Sequence, residues 1–228
     1  MAQVKPNTTI QEYQDFVQEV YGIPNDRYYD TSSMLTNIQR FVMRGIKGIR
    51  KNDESKITRN LLIAQSWFMS LMNRFHIPLE GAVWARFPFR CSYCGQCPCV
   101  CKAQKVTARV HGAPDTTHMP RSYENFQAMF LEIYPPSTRS IEHAGIHLAE
   151  ELGELSESIL KYQGTRDEES LKEITAEAAD FFSCLMGVFN SLNFPTAKEL
   201  SILFSNNCHA CKKAPCECTH AFVTEFVS

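Results

Sequence analysis

No stretch of this 228-residue chain is long and apolar enough to span a bilayer, which excludes a membrane-crossing helix. The N-terminus lacks the charged-then-apolar order of a secretory leader, so a cytoplasmic protein is expected. Neither sign of charge is in excess: 23 Lys+Arg stand against 25 Asp+Glu, a net charge of −2. Nothing global therefore recommends nucleic acid or an anionic membrane as a partner. Proline is scarce within the periodic segments. Pro24, Pro78, Pro135, Pro136 and Pro195 fall between them, leaving the segments themselves free to be helical.

What the chain does have is cysteine in tight clusters. Cys91, Cys94, Cys99 and Cys101 carry the spacing C-x-x-C-x-x-x-x-C-x-C, and Cys208, Cys211, Cys216 and Cys218 repeat it. Each set has proline before its third cysteine, Pro98 and Pro215. A secreted disulfide framework is the alternative for ten cysteines, but C-x-C is awkward for disulfides and natural for thiolate ligands. Four thiolates per set match a structural Zn²⁺ site, so two Zn²⁺ are expected; iron–sulfur binding uses the same donors.

The recurrence extends upstream. Laying Gln11–Tyr21 over Glu124–Tyr134 brings Leu35, Val42 and Ile46 onto Leu148, Leu155 and Ile159. Short insertions later, Trp67-Phe68 meets Phe181-Phe182, Pro78 meets Pro195, and the cysteine sets coincide. The chain thus reads as a duplication, one copy over 8–104 with its knuckle at 91–101 and one over 121–220 with its knuckle at 208–218. Residues 105–120, with Gly112 and Pro114, form the connection. Helical spacing of Leu148, Leu152, Leu155 and Ile159, and of Ile174, Ala178, Phe181 and Leu185, predicts an all-α fold. Each copy reads as an opening helix, two longer core helices, a short helix after Pro78 or Pro195, and a knuckle. Antiparallel helices with short loops make a bundle.

Two core helices of the second copy carry acidic pairs: Glu151 and Glu154 after Glu150, then Glu177 and Asp180. At about 100° per residue, both pairs fall to the same side of their apolar stripes, so antiparallel packing gathers them on one rim. Two such charges about 4 Å apart repel by roughly 4 kcal/mol at an effective dielectric of ~20, so protons or cations must compensate. Oxygen ligands suit Mg²⁺ or Mn²⁺. A solvated acidic face is the plainer reading. However, the first copy carries Ile38, Phe41, Ile63 and Ser66 at the four matching positions, losing every carboxylate together. Joint absence marks the four as one site.

At these residues the sequence resembles the MazG-like, all-α nucleoside triphosphate pyrophosphohydrolases, whose signature is E-E-x-x-E followed by E-x-x-D. His147–Glu154 and Glu177–Asp180 match it in full, while His76–Trp84 resembles the segment after the family's last core helix. The second copy resembles the family strongly and the first weakly. The resemblance implies Mg²⁺-dependent hydrolysis of a nucleoside triphosphate to a monophosphate and pyrophosphate. It implies that Glu151, Glu154, Glu177 and Asp180 hold the ions, with Glu150 as an auxiliary. One carboxylate, Glu154 by preference, would accept the proton of the attacking water. Family members usually assemble the bundle from two subunits, so tandem copies would form a pseudo-dimer within one chain. Further homo-oligomerisation is compatible with this. The knuckles depart from the family pattern.

Arg40, Arg44 and Lys47 line one face of the first copy's core helix, either as a solvated face or as contacts for the substrate's phosphates. His209 and His220 read as surface residues, and Glu173 as an uncertain extra ligand. The rival to the enzyme is a non-enzymatic module whose knuckles bind protein or nucleic acid beside a vestigial acidic site.

Overall fold

The computed structural model describes residues 3–106, 109, 118–138 and 140–226. Most of the connection expected at 105–120 lies outside them. The described residues are helical and contain no strand. No helix among them is long and apolar enough to cross a membrane.

In chain order the helices are α1 (Ile10–Tyr28), α2 (Thr31–Arg50), α3 (Glu54–Arg74), α4 (Leu79–Arg86), α5 (Cys101–Gln104), α6 (Tyr123–Ile133), α7 (Ile141–Thr165), α8 (Glu168–Ser191), α9 (Thr196–Leu203) and α10 (His220–Glu225). Local sequence explains where most of them start. Thr9 and Glu12 form a capping box on α1, each side chain accepting from the other's backbone N–H at 2.9 and 2.8 Å. Asp30, Asp53, Ser122, Ser140 and Asp167 cap α2, α3, α6, α7 and α8 in the same way, each accepting from an amide three residues on.

The chain divides into two compact units, and the division does not follow the copies expected at 8–104 and 121–220. One unit holds residues 1–78 and 195–228; the other holds 79–194. In the first, the α2–α3 hairpin packs with α1, and Phe16 of α1 meets the ring of Phe204 at 5.7 Å. Gly45 and Gly48 allow α2 and α3 to close on each other: a Cβ on Gly48 would lie 2.9 Å from the Ile57 backbone nitrogen. In the second unit, the α7–α8 hairpin packs with α6 and with α4, and Phe87 meets Phe130 at 5.2 Å. The first unit thus holds α1–α3 with α9, α10 and the second cysteine set, and the second holds α4–α8 with the first cysteine set. The chain crosses between units at Pro78–Leu79 and returns at Phe194–Pro195.

One expectation about proline is corrected. Pro24 lies inside α1 rather than between helical runs. Lacking an N–H, it leaves the carbonyl of Val20 one turn earlier without its helical partner. That carbonyl instead accepts from the backbone N–H of Cys216 at 2.7 Å. In the other unit, α6 ends at Ile133 before Pro135 and Pro136, and the Ile133 carbonyl accepts from the Cys99 N–H at 2.8 Å. The carbonyl left open by Pro24 in one unit and that left open by the end of α6 in the other are each taken by the third cysteine of a set.

Candidate functional site

Residues one turn apart on a helix share a face. The α7–α8 pairing brings Glu151, Glu177 and Asp180 together so that one carboxylate oxygen from each lies within 4.8 Å of the others. Glu154 stands outside that group on the exposed side, still close enough to raise the pKa of both glutamates. Glu150 is exposed, 4.0 Å from His147. Glu173 is paired with Lys161 at 2.5 Å. Of the four carboxylates expected on one rim, three converge.

Asp180 is the most buried, at 6 % exposed, because α4 packs over α8. Arg86 at the end of α4 donates through Nε to Oδ1 at 3.0 Å and through a terminal nitrogen to Oδ2. Arg109 reaches the same Oδ2 at 3.5 Å, donates to Ser92 Oγ at 3.4 Å, and lies over the Tyr93 ring. Burial works against the Arg86 charge, but hydrogen bonding to Asp180 and the charges of Asp180, Glu177 and Glu151 outweigh it and raise its pKa. The glutamates have less relief. Burial, then the charges of Asp180, Glu154 and Glu177, push Glu151 up to about 8. Burial and Asp180 also raise Glu177. An oxygen of each glutamate is buried without a hydrogen-bond partner. This is the donor set that a hard divalent cation fits.

That crowding gives stability a sign with pH. Between the ordinary glutamate value of 4.5 and about 8, the folded protein holds a proton on Glu151 that the unfolded chain has released. Stability then falls as pH rises through this window. Thermal melts without divalent cations are expected to show a Tm declining from pH 5 to 8, flattened in Glu151→Gln and restored at pH 8 by Mg²⁺. A wild-type Tm independent of pH would remove the crowding.

The first cysteine set walls the same cavity: Cys91, Tyr93 and Cys99 line it together with Tyr134, His147, Glu151 and Asp180. The two sets have matching geometry. Sulfur–sulfur separations are 3.7 Å for Cys91–Cys101 and 3.9 Å for both Cys94–Cys99 and Cys208–Cys218. Cys211–Cys216 lie 3.8 Å apart. A tetrahedron with Zn–S bonds near 2.3 Å has edges of about 3.8 Å, whereas a disulfide needs about 2.05 Å. None of the ten cysteines forms a disulfide. Backbone amides approach the sulfurs, Tyr93 N–H to Cys91 and Ala210 N–H to Cys208, both at 3.4 Å. Burial raises the Cys94 thiol, but the amides of Val100 and Gln96 bring it down to about 7. A hydrogen bond from Cys216, then the amides of Ala210 and Cys211 acting against burial, hold Cys208 at about 4. Each set could hold a zinc ion.

Tyr134, just past α6, hydrogen-bonds Cys91, and Tyr21 of α1 hydrogen-bonds Cys208, so each cysteine set receives one tyrosine hydroxyl. Burial and the adjacent thiol raise the pKa of both phenols. His209 is half-buried rather than on the surface, between the rings of Phe204 and Phe226, with Nδ1 3.3 Å from the Tyr21 hydroxyl. His220 is exposed, its ring stacked on Tyr29.

A pocket of the first unit is lined by Phe41, Ile63 and Ser66, three of the residues that the sequence alignment sets against carboxylates. Two residues of the basic face have an internal task there. Arg40 donates to the carbonyls of Val223 at 2.7 Å and Thr224 at 3.2 Å, and Arg44 to that of Phe226 at 2.9 Å. They satisfy the open carbonyl end of α10. Lys47 is exposed.

Sequence reading missed Arg86, Arg109, Tyr21 and Tyr134. An arginine 94 positions from its carboxylate leaves no local pattern to find. Protein-family models, curated proteins and solved structures were compared with the chain, and none of them matches it.

Proposed function

We propose that the protein is a divalent-cation-dependent nucleoside triphosphate pyrophosphohydrolase, with two MazG-like copies in one chain and one acidic site. The carrying observation is the convergence of Glu151, Glu177 and Asp180 oxygens within 4.8 Å, with buried glutamate oxygens that no protein donor satisfies. These three residues would hold Mg²⁺ or Mn²⁺, with Glu154 as an outer contributor. When bound, the cation polarises the phosphate, offsets the charge of the leaving pyrophosphate and favours ionisation of the attacking water.

The remaining roles fall to the chain. Glu154, exposed one turn from Glu151, is placed to accept the water's proton while staying open to solvent. Glu150 and His147 stand at the rim of the same helix face. Tyr93 and Tyr134, with the first knuckle behind them, wall the cavity and limit the water around the reacting phosphates. The knuckles are read as structural Zn²⁺ sites, since four thiolates leave a zinc ion no open position for substrate.

The test is a panel of canonical and modified NTPs and dNTPs with Mg²⁺ or Mn²⁺, followed by pyrophosphate release. At least one nucleotide is expected to yield monophosphate and pyrophosphate in equal amounts. Release of orthophosphate, or no turnover of any nucleotide, would instead favour an interaction module whose acidic group is vestigial.

A further inference from the structure

We propose that Arg86 is a substrate contact: it leaves Asp180 when a divalent cation takes that carboxylate, and its guanidinium then holds the leaving pyrophosphate. The inference rests on the reading of the acidic site as a nucleotide-hydrolysing centre and names the residue that receives the leaving group.

The argument starts from occupancy. Both oxygens of Asp180 are engaged by the fork of Arg86, through Nε at 3.0 Å and through a terminal nitrogen. The guanidiniums of Arg86 and Arg109 make three contacts with a carboxylate that has about four acceptor sites, and a cation beside it repels both. Metal binding and the Arg86–Asp180 pair are therefore competitive. The displaced arginine has no easy exit to water, since its side chain is only 20 % exposed. Leaving such a charge without an anion is strongly unfavourable, so an anion must replace the carboxylate. The nearby glutamates are the other proposed ligands and are not free to do so. Phosphate oxygens offer a guanidinium the same two-pronged geometry as a carboxylate, and a polyphosphate brings them in along with its cation.

Arg109 supports the same end of the cavity. It touches the same Asp180 oxygen at 3.5 Å and is steadied by Ser92 and by the Tyr93 ring, both on the first knuckle. Two guanidiniums thus converge on one carboxylate, so an anion entering beside it meets both.

The test uses the full chain and two titrations by calorimetry, Mg²⁺ alone and then inorganic pyrophosphate at saturating Mg²⁺. Arg86→Gln is expected to bind Mg²⁺ about tenfold more tightly than wild type, because a competing cation is gone. It is expected to bind pyrophosphate roughly 30-fold more weakly, because a two-pronged charged contact is gone. Arg86→Lys should fall between on the second measure, keeping the charge and losing the fork. Opposite signs distinguish a substrate contact from a structural one. If Arg86→Gln weakens both ligands alike, or leaves pyrophosphate affinity unchanged, the inference is overturned; wild type that binds no pyrophosphate overturns it too. The two readings also separate. Opposite-sign shifts in a protein that hydrolyses no nucleotide would keep Arg86 as an anion contact and end the enzyme reading. Nucleotide turnover with Arg86-independent pyrophosphate affinity would do the reverse.

Discussion

Asp180→Asn is expected to reduce nucleotide hydrolysis on the order of 10²–10³-fold, in the range seen when one electrostatic contributor to a transition state is removed. Asparagine keeps the shape of the side chain and discards the charge that both Arg86 and a cation require. Because Asp180 is 6 % exposed, the substitution also leaves Arg86 and Arg109 without their carboxylate. Arg86 still has the charges of Glu177 and Glu151 beside it when no cation is bound, so we expect a stability loss of about 1–3 kcal/mol rather than the larger penalty of a buried charge with no counter-charge. For a chain of this size that lowers Tm by about 3–10 °C. Glu154→Gln should behave differently. Its carboxylate is exposed and outside the three-oxygen group, so activity should fall roughly tenfold with Tm unchanged. Steady-state kinetics and thermal melts on the two variants decide the matter. Full activity in Asp180→Asn would remove the assigned site.

Metal removal from the knuckles should have the other large effect. Both cysteine sets have sulfur separations near the edge of a zinc–thiolate tetrahedron, and each is tied to α1 or to the end of α6 by one backbone hydrogen bond and one tyrosine. Structural zinc contributes on the order of 10 kcal/mol of local folding energy, less whatever the unfolded thiols retain. Losing half of that lowers Tm by about 10–20 °C. Purified protein is expected to hold about two zinc ions per chain, one for each four-thiol group. A strong chelator, or Cys91→Ser combined with Cys208→Ser, should produce the Tm loss and depress hydrolysis, since the first knuckle walls the carboxylate cavity. Metal analysis that finds iron, or no metal at all, would overturn the zinc assignment. A chelator-independent Tm would overturn the structural role.

Much of the helix layout was legible because its causes are local. Thr9 with Glu12, and Asp30, Asp53, Ser140 and Asp167, act within one turn of their own position, so start points are written in short stretches of chain. The spacing of Glu151 to Glu154 and of Glu177 to Asp180 is local as well, and it placed both pairs on one rim. A helical wheel still could not rank them. Asp180 lies farther round from the apolar stripe than Glu177 yet is buried, because α4 covers it. Glu154, similarly displaced on α7, stays in solvent: among the described residues no short helix packs on α7 as α4 packs on α8.

By itself, then, the order of residues determined the all-helical class, the caps, the two sets of four thiols and the acidic spacing, since each follows from forces acting over a few residues. Tertiary packing alone decided which hairpin receives which short helix and knuckle, which carboxylates meet, and which arginine neutralises them. Both hairpins expose similar apolar faces, so periodicity cannot tell α4 from α9 as the short helix of a given hairpin. Burial, close approach and open backbone carbonyls select between them, and those exist only once distant segments have been brought together.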